Sequence, residues 1–223
     1  MNRWDWLALF DIYLMIFWCV TYIECIRIGI KEKTYCMPLL ALCMNFCWEA
    51  LSLVDYCLCG GENASMYVLY GAWTILDIGI VVTYIVYGKQ EFNRKIKRMS
   101  LGRKIDMGKV FALYSLGVFL SVLAIILTMY HTIDNWKLYF SFADNVIMSI
   151  LFIVMYYIRG GKRGQSLSIA IAKCIGTSCA TMTMIFAGQL FGVVLGGICL
   201  LLDIAYIVML TQHPKYCRTA EAS

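Results

Sequence analysis

Long apolar runs alternate with short polar segments along the whole chain. A helix of about 20 apolar residues crosses roughly 30 Å of hydrocarbon, and runs of that length recur throughout the 223 residues. They lie at about 4–24, 37–59, 65–87, 109–130, 136–158, 166–187 and 189–211. The pattern predicts an all-α integral membrane protein in which residues 1–223 form a single transmembrane domain, a compact bundle of seven transmembrane helices.

Composition agrees with a membrane protein. The chain is 61% apolar and 15% charged, which differs strongly from the mixture typical of soluble domains. The first run contains Asp11 and ends without a small-residue cleavage site, so we expect a retained helix and not a signal peptide. The 11 cysteines lie mostly inside the apolar runs, where small apolar packing is the expected role and neither a disulfide framework nor a metal site is indicated.

Positive charge is distributed unevenly between the two sides of the predicted bundle. Sixteen of the 19 Lys and Arg residues fall on one side, and only Arg3 and Lys137 fall on the other. Because Lys- and Arg-rich flanks tend to remain cytoplasmic, we expect the N-terminus outside and the C-terminus inside. The net charge of +5 is then mainly an orientation signal. The basic 88–109 loop is expected to contact anionic membrane lipids, and no nucleic acid partner is expected.

The connections between spans are short, so we expect sequential helices to be antiparallel neighbours. Gly188, Gly192 and Gly196 are spaced four apart and share one face of the last span. Such a stripe lets another helix approach closely. Asp203 falls within about 20° of the same direction, which predicts that it faces the bundle interior and not lipid.

Acidic residues inside the apolar runs outnumber the bases that could neutralise them. Lys173 is the single basic residue that lies away from the ends of the runs. A charge in hydrocarbon is expensive, so several of these acids must hold a proton or face a polar cavity. The intramembrane acids are Asp11, Glu49, Asp77, Asp144 and Asp203.

Two of these acids also have purely structural interpretations. Asp203 and Lys173 lie at similar depth on spans adjacent in sequence, so they can form an ion pair. Glu49 has no base at matching depth, and it can be a neutral acid hydrogen-bonded to Asn45 one turn earlier. Both interpretations stay open beside a functional one.

Aromatic rings share helix faces with the acids. Tyr70, Trp73 and Asp77 lie on one face of the third span, and Tyr206 follows Asp203 by three residues. A stripe of rings is often ordinary packing, but combined with unpaired acids it predicts a pocket. We expect these substrate-binding residues: Asn45, Trp48, Trp73, Asp77, Asp144 and Tyr206.

Such a pocket suits acid-initiated carbocation chemistry. A carboxyl group in an apolar site resists ionisation, so it can keep its proton near neutrality and deliver it to an epoxide oxygen or an alkene. Aromatic faces then stabilise the cation without offering a lone pair that captures it. A lipid-soluble prenyl substrate can enter from the bilayer, and water exclusion prevents early quenching.

The segments "NFCWEALSL", with Asn45, Trp48 and Glu49, and "LLLDIAYIVM", with Asp203 and Tyr206, resemble the small seven-helix membrane terpene cyclases. This family includes fungal meroterpenoid and indole-diterpene cyclases and bacterial relatives. The resemblance extends over nearly the whole chain. It implies a terpene cyclase of a lipophilic, prenylated small molecule in which Glu49 and Asp203 are the catalytic acids.

The chain departs from the fungal members in its high Cys and Lys content, which is more typical of a low-GC bacterium and suggests a bacterial cytoplasmic membrane. It contains neither D-D-x-x-D nor D-x-D-D, so we expect no metal and no cofactor.

Two alternative functions are a membrane hydrolase of ether lipids and a proton-coupled small-molecule transporter. Against a transporter, no inverted repeat and no matching pair of broken spans is visible. The oligomeric state is not predicted.

Overall fold

Seven α-helices make up the described part of the protein. The computed structural model describes the backbone of residues 3–59, 64–98 and 107–220 and the side chains of residues 5–58, 67–92 and 107–212. The helices are α1 (Arg3–Glu32), α2 (Leu39–Cys59), α3 (Ala64–Arg98), α4 (Met107–Thr132), α5 (Trp136–Arg159), α6 (Leu167–Ala187) and α7 (Leu190–Ala220). Each is long and apolar enough to cross a membrane. The prediction of an all-α protein with seven spans is confirmed.

Three helices continue beyond the apolar runs that predict them. α1 ends at Glu32, α3 at Arg98 and α7 at Ala220. Apolar runs report only the membrane-embedded part of a helix, and good helix formers extend it into water. In α1 the extension carries an ion pair one turn apart, Glu24 with Arg27 at 2.7 Å. The prediction of a loop over 88–109 is therefore wrong for its first half, and residues 99–106 lie outside the described residues.

Six of the helices form a closed ring. α2 packs on α3, α3 on α1, α1 on α6, α6 on α7, α7 on α5, and α5 returns to α2. α4 packs mainly on the outer face of α2. The ring places side chains from distant parts of the chain around one interior, which is where a cavity between helices can form.

Sequential helices are not always neighbours, so that prediction is wrong in part. α5 and α6 are joined by a short connection, yet in the described residues α7 lies between them and packs on both. Gly160 and Gly164 in this connection have φ of 66° and 70°, a left-handed backbone that favours glycine, and the Gly164 N–H donates to Glu32 Oε2 of α1 at 2.6 Å. α2–α3 and α6–α7 are the predicted antiparallel neighbours.

The glycines of α7 meet α6 at close range, as the stripe predicts, although Gly188 belongs to the turn before α7, with φ of 72°. A Cβ built on Gly192 would meet Met184, and one built on Gly196 would meet the Thr181 hydroxyl and its Cβ, the latter at 3.0 Å. Real Cβ atoms do not approach other atoms so closely. The side chains of Thr181 and Met184 on α6 therefore pack directly against the backbone of α7 at these glycines.

We expect Gly196→Ala to destabilise the bundle by about 1–3 kcal/mol because its methyl group overpacks the α6–α7 contact. Gly197 is the matched control, since a Cβ there meets nothing within 4 Å. Thermal unfolding in detergent measures both variants. Equal melting temperatures for the two would contradict the close α6–α7 packing.

The end of the bundle opposite the α1 N-terminus is closed by a buried charge network that the sequence analysis missed. Arg159 Nε donates to Glu91 Oε1 at 2.8 Å, and Thr34 Oγ1 donates to Glu91 Oε2 at 2.7 Å. Arg159 Nη2 also donates to the Tyr35 carbonyl at 2.9 Å. These hydrogen bonds link α3, α5 and the α1–α2 connection at this end of the bundle. The cavity described below lies toward the opposite end.

Candidate active site

A cavity of about 270 Å³ lies inside the ring, in the half nearer the α1 N-terminus. α1, α2, α3, α5 and α6 contribute its walls. Aromatic rings are prominent in its lining. Six rings face it: Trp18, Tyr22, Trp48, Tyr70, Trp73 and Phe142.

The rings of the wall hold one another in place. Trp48 lies edge to face with Tyr70 at 5.6 Å between ring centroids and 6.5 Å from Trp73. Its Nε1 donates to the Lys137 carbonyl at 3.0 Å, which fixes the indole against α5. Edge-to-face pairs of this kind are stable arrangements of aromatic rings. Trp48 and Trp73 thus line the cavity, while their role in binding a substrate stays a prediction.

Glu49 belongs to a buried hydrogen-bond network behind the cavity floor. Its side chain is 0% exposed. Tyr22 Oη donates to Glu49 Oε1 at 2.6 Å, and Asn45 Nδ2 lies 3.1 Å from the same oxygen. Asn45 Nδ2 also donates to Asp77 Oδ2 at 2.9 Å. Tyr22 and Asn45 line the cavity and place the two acids directly behind them.

The carboxyl groups of Glu49 and Asp77 lie within hydrogen-bonding distance of each other. No amide or hydroxyl of the described residues donates to Glu49 Oε2 or Asp77 Oδ1. The contact with Asn45 that the sequence predicts for Glu49 is present, and Asp77 and Tyr22 join it. Tyr22 was missed as a site residue, although it shares a face of α1 with Asp11 and Trp18.

Asp203 lies in a second network. Lys173 Nζ is 2.9 Å from Asp203 Oδ1 and 3.1 Å from Oδ2. Ser149 Oγ donates to Asp203 Oδ1 at 2.8 Å. Asp203 is 1% exposed, as its predicted inward direction requires. The ion pair with Lys173, one of the two open interpretations, is therefore present, and among the described residues Asp203 is not part of the cavity lining.

Tyr206 also lies away from the cavity. It is 1% exposed and packs on Phe152, with 5.6 Å between ring centroids, in the core between α5 and α7. Tyr206 lies three residues after Asp203, about 4.5 Å further along α7 toward its C-terminal end and away from the pocket half of the bundle. The structure therefore does not bring Tyr206 to the predicted binding pocket.

Asp144 and Asn145 of α5 join the two networks at the cavity floor. Both residues line the cavity. Asn145 Oδ1 accepts a hydrogen bond from Lys173 Nζ at 2.7 Å. Asp144 is 3% exposed and lies near enough to Asp77 and Lys173 for their charges to act on it.

The mouth of the cavity is more polar than its wall. Lys137 lines it and forms an ion pair with Asp55, at 2.6 Å, while its Nζ lies 4.7 Å from the centre of the Tyr56 ring. Asp11 accepts a hydrogen bond from Thr183 Oγ1 at 3.0 Å. The cavity therefore has a charged rim, an aromatic wall and a floor with an excess of carboxyl groups. Among the described residues, no group of three or more His, Cys, Asp and Glu side chains is arranged to hold a metal ion.

Fungal terpene cyclases are similar to this chain. The terpene cyclase mfmH of Annulohypoxylon moriforme is 27% identical over 172 residues, covering 76% of this chain and 66% of the relative. The terpene cyclase ptmB of Penicillium ochrochloron is 22% identical over 172 residues, covering 77% and 66%. A 75-residue stretch is 31% identical to the terpene cyclase pyr4 of Aspergillus fumigatus, covering 34% of this chain and 30% of that relative.

The chain thus spans slightly less than two thirds of the length of the curated relatives mfmH and ptmB. These relatives come from fungi and give no support to the expected bacterial membrane. The family of Pyr4-like transmembrane terpene cyclases matches residues 2–215. The predicted resemblance is confirmed over almost the entire sequence: the chain belongs to the Pyr4-like transmembrane terpene cyclases.

Proposed function

We propose that this protein is a membrane terpene cyclase that protonates a prenyl or epoxyprenyl chain on a lipophilic small molecule and guides the resulting carbocation to ring closure. The observation that carries the proposal is the cavity itself, where six aromatic rings surround a floor that has more carboxyl groups than bases. Family membership over residues 2–215 supports the same reaction class.

The proton supply is assigned to the Glu49–Asp77 pair. Two carboxyl groups that face each other in a dry interior cannot both be ionised at low energy, because like charges repel and neither is hydrated. One proton shared by the pair leaves a single negative charge to be stabilised, which matters because Glu49 Oε2 and Asp77 Oδ1 accept nothing from an amide or hydroxyl of the described residues. Tyr22 and Asn45 connect this pair to the cavity.

The aromatic wall is assigned to cation stabilisation. An aromatic face attracts positive charge by about 0.5–2 kcal/mol per ring, and the attraction is strongest where water is excluded. Trp48, Tyr70 and Trp73 form one contiguous cluster. A cation that migrates along a folded prenyl chain can therefore remain near a ring at each step.

Asp203 is assigned a positioning role. Its carboxylate neutralises Lys173, and Lys173 in turn donates to Asn145 Oδ1, whose side chain lines the floor. In this arrangement Asp203 acts on the substrate through two other side chains and does not hand over a proton itself. We therefore propose a supporting role for Asp203 in place of the catalytic role that the resemblance implies.

Expression in a host supplied with prenylated and epoxyprenylated indoles and phenols tests the proposal. The expected product has the mass of the substrate and a different chromatographic retention, because cyclisation is an isomerisation. A membrane hydrolase of ether lipids would instead release a head group or aldehyde. Absence of any isomeric product across the panel, from a chain that is present in the membrane, would contradict the cyclase.

A further inference from the structure

Among the described intramembrane acids, two carboxyl groups line the cavity directly. Asp11 lies at the mouth, where Thr183 donates to it at 3.0 Å. Asp144 lies at the floor and is 3% exposed. Glu49, Asp77 and Asp203 lie behind other side chains. A group that gives a proton to a substrate must reach it within hydrogen-bonding distance, so position alone favours the two lining acids.

Asp144 differs from the other floor residues in its hydrogen bonding. No donor of the described residues reaches Asp144 Oδ1, which is fully buried. An ionised carboxylate without a donor is among the most costly buried groups, whereas a neutral carboxylic acid is tolerated. Asp144 therefore has the surroundings of an acid that holds its proton in the empty cavity.

The charged neighbours of Asp144 agree with this assignment. Asp77 on α3 lies near enough to act on it as a like charge. Lys173 on α6 is the opposite charge nearby, but its hydrogen bonds go to Asn145, Ser149 and Asp203. The lysine is thus already neutralised by a carboxylate that it binds at 2.9 Å. Little of its charge remains to hold Asp144 as a carboxylate.

We propose, as a refinement that rests on the proposed function, that Asp144 is the carboxylic acid that touches the substrate and gives it the initiating proton. The Asp144 O–H bond breaks as an O–H bond to an epoxide oxygen, or a C–H bond to an alkene carbon, forms. With an epoxide, the electron pair of the C–O bond that opens stays on oxygen. With an alkene, the π electron pair forms the new C–H bond. In both cases a carbon atom becomes positively charged.

Asp144, Glu49 and Asp77 together take back the proton that the substrate receives. After ring closure the final cation loses a proton from carbon to Tyr22 Oη, which lines the cavity, as the Tyr22 hydroxyl proton passes to Glu49 Oε1, 2.6 Å away, and the product is an isomer of the substrate. The Glu49–Asp77 pair, whose charge acts on Asp144 across the floor, returns a proton to Asp144 for the next turnover. No metal, oxidant or other co-reactant is consumed in this sequence.

Infrared spectroscopy of the empty protein tests the protonation of Asp144 without any substrate. In the carbonyl-stretch region of protonated carboxyl groups, the difference between wild type and Asp144→Asn is expected to show the loss of one band. Asp144→Glu keeps a protonated group and is expected to shift that band. Asp134→Asn is the matched control, because Asp134 is exposed in the α4–α5 connection. An unchanged carbonyl region in both Asp144 variants would overturn the proposal.

Conversion of the indole and phenol panel tests the transfer step. Asp144→Asn is expected to lower kcat by about 100-fold or more with little change in KM, since the substitution removes the proton and preserves the shape. Asp144→Glu retains a carboxylic acid and should recover part of the activity. If the Asn variant does not fold, the activity of the Glu variant tests the role of Asp144 in its place. A folded Asp144→Asn protein that converts substrate at the wild-type rate would overturn the proposal. Failure of the wild type on the whole panel contradicts the proposed function instead, while the infrared result still decides the state of Asp144.

Discussion

Glu49→Gln is expected to lower kcat/KM for cyclisation by about 10²–10⁴-fold, the range typical of a lost proton-transfer group, because the Glu49–Asp77 pair resupplies the proton that Asp144 gives. Glutamine preserves the size of the side chain and can still accept the hydrogen bond that Tyr22 Oη gives to Glu49 Oε1 at 2.6 Å. It cannot hold or release an acidic proton. The loss should therefore appear in turnover and not in the amount of folded protein. Mass spectrometry of the isomeric product over time measures it.

Two comparisons make this result interpretable. Asp134→Asn removes an exposed carboxyl group outside the cavity and should leave conversion unchanged. Glu49→Asp keeps an acid but withdraws it by one methylene group from Tyr22 and Asn45, so an intermediate rate is expected. Full activity in a folded Glu49→Gln protein would remove this residue from the proton supply.

Lys173→Met is expected to destabilise the protein by about 3–5 kcal/mol, because it leaves Asp203 buried and without its ionic partner. Lys173 and Asp203 are each 2% exposed or less at the side chain and lie 2.9 Å apart. Ser149 is the remaining donor to Asp203 Oδ1. Thermal unfolding in detergent, scored by loss of the monodisperse protein, measures the effect.

The double variant Lys173→Met/Asp203→Leu separates stability from catalysis. Replacing both members of a buried ion pair with apolar residues is often close to neutral, so most of the lost stability should return. If Asp203 is a positioning residue, the double variant also keeps measurable cyclisation, with its main change in KM because Asn145 loses the hydrogen bond from Lys173. A stable double variant that is as inactive as Glu49→Gln would show that Asp203 takes part in the proton transfer.

The number and positions of the helices could be predicted from the sequence because the thickness of a bilayer fixes the length of a membrane-spanning helix. A run of about 20 apolar residues has few structures open to it in hydrocarbon, so the number and positions of the spans follow directly. Helix ends in water follow a weaker rule, and α3 continues through charged residues to Arg98. Which helices touch depends on side-chain packing, and the insertion of α7 between α5 and α6 has no local signal.

The candidate site was predictable only where periodicity or charge imbalance made it visible. The excess of acids over bases pointed to the floor, and the spacing of Asn45 and Glu49 pointed to their contact, which is 3.1 Å. Depth alone also paired Asp203 with Lys173. The hydrogen bond between Tyr22 of α1 and Glu49 of α2 could not be predicted from sequence periodicity. The two residues are 27 positions apart, and they come together only because the helices pack around one interior.

Oxygen labelling shows whether a buried carboxylic acid starts cyclisation in a chamber that excludes water. The purified protein in lipid nanodiscs is given an epoxyprenylated indole or phenol in water enriched in oxygen-18, and the product is weighed by mass spectrometry. We expect an isomer of the substrate that keeps its original oxygen and contains no label, because water does not reach the cation. A labelled product that is heavier than the substrate by one water molecule would contradict it.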